Sequence, residues 1–113
     1  MIVKSQSITW NDLPNINEVD PFNENDEECL NEIRTVLEKY NLTSRFGVAL
    51  LHKHFQVLND EVLVESCDAK HRTLSTRTVK ALEAENMNLI TTMWRFDGGI
   101  AYKCSYCKKD HHT

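Results

Sequence analysis

From Asp26 to Tyr40 the apolar residues recur at helical spacing, and from Phe46 onward the pattern switches to period two. A chain that changes period in this way calls for one amphipathic helix and a sheet for it to lie on. At about 100° per residue, Cys29, Leu30, Ile33, Val36, Leu37 and Tyr40 share an arc of about 120°, while Glu27, Glu28, Asn31, Arg34, Thr35 and Glu38 face away. Asn25 suits the N-cap, Asp26, Glu27 and Glu28 suit the positive end of the helix dipole, and Asn41 suits the left-handed stop. A helix is therefore predicted over 26–40, with one apolar stripe to bury.

The run FGVALLHKHFQVL, residues 46–58, is rich in β-branched and aromatic side chains and predicts a long strand. Asn59-Asp60 reads as a tight turn and EVLVES, residues 61–66, as the returning strand. Pairing Val57 with Val62 and Phe55 with Val64 puts Ala49, Leu51, Phe55, Val57, Val62 and Val64 on one apolar face. RTLSTRTVK suits a polar edge strand and KALEAEN a short helical turn or loop. NLITTMWRF and IAYKC flank Asp97-Gly98-Gly99. A three-residue loop there would pair Phe96 with Ile100 and Trp94 with Tyr102, a packing role for those aromatics.

These elements predict an α+β fold: an antiparallel sheet of about four to five strands with the 26–40 helix packed on one face. A chain of 113 residues suits one domain. Residues 26–107 form it, after a mostly irregular segment over 1–25 with few apolar anchors (Ile8, Trp10, Leu13, Phe22) and before a short tail over 108–113. No internal repeat is present.

A net charge of -4, from 13 Lys and Arg against 17 Asp and Glu, disfavours nucleic acid as a partner, because phosphate-backbone binders gather excess cations. No run approaches the roughly 18–20 apolar residues that cross a bilayer, and MIVKSQSITWNDLP lacks the apolar block of a signal peptide. The expectation is a soluble, cytoplasmic protein with no membrane partner. Its four cysteines are then thiols or metal ligands, not disulfides.

The sharpest local signal is Cys104-Ser-Tyr-Cys107 followed by His111-His112, four ligands of the kind that tetrahedral zinc selects. Cys104, Cys107, His111 and His112 are the candidate zinc site, with Cys104 and Cys107 wrapping the metal from a tight turn. The alternative is free thiols and a solvated tail, and too few residues follow Cys107 for a thioredoxin-like helix. His52 and His54 share one side of the predicted strand, about 6 to 7 Å apart. The 57–62 register sets His54 opposite Glu65 and His52 opposite Cys67. His52, His54, Glu65 and Cys67 are thus a candidate ligand-binding face, or partly exposed residues without chemistry. No G-x-S-x-G, H-E-x-x-H or glycine-rich phosphate loop occurs. Two functional classes remain: a small binding or interaction protein with zinc at the C-terminal cluster, and a small metal-assisted hydrolase working from the His52/His54 face.

Overall fold

The computed structural model describes residues 2–3 and 8–109. Its elements, in chain order, are β1 (Ile2–Val3), α1 (Ile8–Asn11), α2 (Glu27–Lys39), β2 (Glu61–Asp68), β3 (Thr73–Lys80), α3 (Ala81–Ala84), β4 (Leu89–Asp97) and β5 (Ile100–Lys108).

The fold is α+β, but its sheet is mixed and not purely antiparallel. Two antiparallel hairpins, β2–β3 and β4–β5, are joined by parallel pairing of β2 with β5 at Val64↔Tyr106 and Glu65↔Cys107. Strand β4 occupies one edge of β5 along its length, so the two-residue β1 lies beside the other edge, parallel at Ile2↔Ala101 and Val3↔Tyr102. Each hairpin forms locally, and the joint between them is non-local.

The first hairpin is not the predicted one. Residues 46–58 form no ladder with β2, because β3 takes one edge of β2 and β5 takes the other. Asn59-Asp60 does turn the chain, with Glu61 N–H donating to the Leu58 carbonyl at 3.0 Å, but the turn leads into β2 from irregular chain. The hairpin closes instead through residues 69–72. Asp68 accepts there from the His71 backbone N–H at 3.2 Å, and Arg72 takes a positive φ of 54°. In the second hairpin Gly98 and Gly99 both adopt left-handed backbone, φ 57° and 79°. The loop therefore needs two residues and not three, and the pairs become Asp97↔Ile100, Phe96↔Ala101 and Trp94↔Lys103. The predicted Trp94–Tyr102 pair is lost in that shift.

Helix α2 begins slightly later than predicted and is differently capped. A 3-10 turn at Glu24–Asp26 precedes it, with Asn23 as cap: Asn23 Oδ1 accepts from the Asn25 N–H at 2.9 Å, and Asp26 Oδ2 accepts from the Asn23 N–H at 3.0 Å. At the other end Asn41 has φ 58°. The Leu42 N–H reaches the Leu37 carbonyl at 2.8 Å and the Asn41 N–H the Glu38 carbonyl at 3.1 Å, the paired bonds of a Schellman stop. The expected packing on the sheet is not found, since no residue of α2 is buried.

What covers the sheet is the N-terminal segment and the irregular chain after α2. The core holds Leu13 and Val57 together with Leu63, Val64, Val79, Ala101 and Cys104. Asn11 fixes Val57 from both sides: its Nδ2 donates to the Val57 carbonyl at 2.8 Å and its Oδ1 accepts the Val57 N–H at 3.0 Å. A side-chain amide thus replaces the neighbouring strand that residue 57 lacks. Asn11→Ala would leave both polar groups of a buried residue without that partner. The expected loss is about 1–3 kcal/mol of unfolding free energy, read from urea midpoints at unchanged slope.

Candidate functional site

Strand pairing puts Glu65, Thr76 and Cys107 in one row across the sheet, on a single face. Leu63 lies two residues back on β2 and Ser105 two residues back on β5, opposite Met93. A register irregularity between Thr91 and Trp94 adjusts β4 at this point.

Over that face runs the chain from Ala49 to Phe55, held by Lys53. The Lys53 N–H donates to the Pro14 carbonyl and the Lys53 carbonyl accepts from the Ile16 N–H, both at 2.9 Å. Lys53 Nζ donates to the Asn11 carbonyl at 2.7 Å. The Trp10 indole N–H donates to the Cys104 carbonyl, and Asp12 pairs with Arg95, which raises the guanidinium's pKa. Between this layer and the sheet is a cleft of about 180 Å³, lined by Trp10, residues 49–55, Leu63, Glu65, Thr76, Met93 and Ser105.

His52, His54 and Glu65 therefore line the same cleft, although no hairpin brings them there. The strand neighbours of Glu65 are Thr76 and Cys107, not His54. The two imidazoles meet edge to face, centroids 4.9 Å apart. His52 Nδ1 lies 2.7 Å from the Leu50 carbonyl; a carbonyl only accepts, so Nδ1 carries the proton and, in the neutral ring, Nε2 holds the lone pair. Cys67 follows Glu65 by two residues on the same face and is exposed, outside the cleft lining.

Cys104 and Cys107 do not sit on a tight turn, for both belong to β5. At a strand rise of about 3.3 Å per residue their backbones are about 10 Å apart. Two thiolates on one tetrahedral zinc, each at about 2.3 Å, come within about 4 Å. Cys104 is buried, whereas Cys107 Sγ donates to Glu65 Oε1 at 3.2 Å and lies 3.4 Å from Thr92 Oγ1. Burial pushes the Cys107 thiol pKa up; the Thr92 contact opposes this, and the bond and charge of Glu65 add to it. His111 and His112 lie outside the described residues. Among the described residues no three His, Cys, Asp or Glu side chains come together as a group that could hold a metal ion, and no helix is long and apolar enough to cross a membrane.

Sequence reasoning missed Asn11 and Lys53, which fasten the cleft's roof. Both are polar residues in segments without period, where no local pattern marks a long-range clamp. The architecture is that of an α+β protein with two hairpins joined in parallel. The chain matches no family model, no curated protein and no solved structure.

The thiol environments set an order of reactivity, because alkylation needs an accessible thiolate. With limiting iodoacetamide at neutral pH, the exposed Cys29 and Cys67 should be modified first, the half-buried Cys107 with its raised thiol pKa more slowly, and the buried Cys104 only as the protein unfolds. Peptide mass mapping reads the order. Modification of Cys104 ahead of Cys29 and Cys67 would contradict the burial described.

Proposed function

We propose that this protein is a small binding or interaction module that works as one subunit of an assembly. The observation that carries this reading is its uncovered apolar surface. In total surface, polar and apolar together, the chain exposes 8941 Å², against about 6,400 Å² for a compact monomer of 13.1 kDa. Its radius of gyration of 15.6 Å likewise exceeds the roughly 13 Å of a compact chain of this length. Phe22, Leu30, Val36 and Tyr40 are all exposed, the last at 63 %, and they cluster in sequence around α2. Scattered exposed apolar residues are ordinary; an amphipathic helix whose stripe is exposed at Leu30, Val36 and Tyr40 and only half-buried at Ile33 and Leu37 is less so.

The cleft supports catalysis less well. About 180 Å³ is below the roughly 300–1,000 Å³ of sites for drug-sized ligands, and a hydrolase on the His52/His54 face would need further ligands to fix a metal. A net charge of -4 favours a protein partner over nucleic acid. The free thiols of all four cysteines are in keeping with a reducing compartment such as the cytoplasm.

If the α2 stripe is an interface and not a hidden part of the core, polar substitution should leave the monomer's stability alone. Val36→Ser and Tyr40→Ser are expected to change unfolding free energy by no more than about 0.5 kcal/mol at monomeric dilution, and to reduce binding of an apolar fluorescent dye. Near-UV circular dichroism from Trp10 and Trp94 checks that packing persists. Losses of about 2–5 kcal/mol would assign both residues to the core and sink the interaction reading.

A further inference from the structure

We propose that β3 is a docking edge for an extended acidic segment of a partner protein, which adds to the sheet as a further strand. This edge does not depend on the α2 interface. Strand β3 stands at the end of the sheet order and pairs with β2 on one side. Among the described residues nothing pairs with its other side over 73–79, so the backbone N–H and C=O groups directed there are left to solvent. Thr73, Leu74, Ser75, Thr76 and Arg77 are all exposed, Leu74 at 65 %.

Strand β4 is also an edge, but a blunted one. Its register slips between Thr91 and Met93 and again between Met93 and Trp94, and Arg95 is drawn across to Asp12. Bulges of this kind turn an edge away from new strands. Strand β3 carries no such break: its pairs with β2 run in unbroken register from Glu61↔Lys80 to Asp68↔Thr73, and it contains no proline. The straight edge is the one that can template a strand.

Charge selects which strand. Residues 69–82 include no Asp or Glu, against Lys70, Arg72, Arg77 and Lys80. Lys80 is paired with Asp60 at 2.7 Å, while Lys70, Arg72 and Arg77 have no ion-pair partner among the described residues. These cations repel the same edge of a second copy, which carries them too, and attract an acidic strand. Thr73, Ser75 and Arg77 share one face of β3, and Leu74 and Thr76 the other. A segment that alternates acidic with β-branched apolar residues therefore sets its carboxylates beside Arg77 and its apolar side chains beside Leu74. In such additions the main-chain bonds supply affinity and alternate side chains supply selectivity.

The test uses the full chain and a fluorescein-labelled peptide of alternating Glu and Val, eight residues long like β3, with fluorescence anisotropy as the readout. The expected result is saturable binding that weakens with added salt, and none by the matching peptide of Lys and Val. N-methylation of the peptide's Val residues, or of its Glu residues, separates a paired strand from a loose polyanion. In a strand every second residue turns its N–H toward the same neighbour, so one methylated peptide should lose binding and the other keep it. Arg77→Glu should weaken binding by about tenfold. Far-UV circular dichroism checks that this variant folds, and the peptide series needs no variant at all. No binding of the Glu and Val peptide, equal binding of the Lys and Val peptide, or identical behaviour of the two methylated peptides would overturn the proposal. Retention by both methylated peptides would mean attraction by charge alone, as for any polyanion, nucleic acid included. None of these results touches the α2 reading, which Val36→Ser and Tyr40→Ser test separately.

Discussion

The fold depends on a short parallel joint. Among the described residues, Val64↔Tyr106 and Glu65↔Cys107 alone tie the two hairpins into one sheet, and Val64, with no exposed surface, sits at its centre. Because β2 is paired on both edges, it cannot accept the chain from Phe46 to Leu58 as a further strand. That chain must cross the sheet as a layer instead, and a layer without ladder bonds needs its polar backbone satisfied elsewhere. Asn11 and the Pro14–Ile16 segment supply those bonds at Val57 and Lys53. The cleft, with His52, His54 and Glu65 on its walls, is the gap between that layer and the sheet.

The same constraint explains what α2 is left without. The segments that cover the sheet are short and carry Leu13 and Val57 into the core, and α2 stands apart from that core with its stripe largely in solvent. Its ends are nevertheless well specified, by the reciprocal Asn23–Asp26 cap and the left-handed Asn41. In the proposed reading, a helix so firmly terminated, yet with no fully buried residue, serves as a preformed docking element. Ordering it on association would cost little, which favours binding through it.

Local chemistry was legible in the residues, and the pairing of distant segments was not. The α2 periodicity, the Asn41 stop, the Asp97-Gly98-Gly99 turn region and the α+β class all follow from short-range pattern. The strand expected over 46–58 has sound β propensity; its failure lies in competition for β2's edges from Thr73–Lys80 and Ile100–Lys108, which no window around His52 reveals. Parity in that unformed hairpin set His54 opposite Glu65. Both do line one cleft, but through Lys53 and Asn11 and not through a ladder. The two-residue spacer of Cys104-Ser-Tyr-Cys107 suggested a turn, whereas the alternation continuing from Ile100 carries both cysteines into β5. An apolar stripe says that a helix has a face to cover, and the local pattern does not say with what.

The central claim is that β2 and β5 form the monomer's own core while the α2 face is completed from outside. Hydrogen exchange of the full chain at monomeric dilution tests it most directly, since exchange resolves the stability of each element separately. The account predicts that α2 amides exchange much faster than those at the centre of β2 and β5. Protection of α2 as strong as that of β5 would mean the helix is covered within its own chain and would contradict the account.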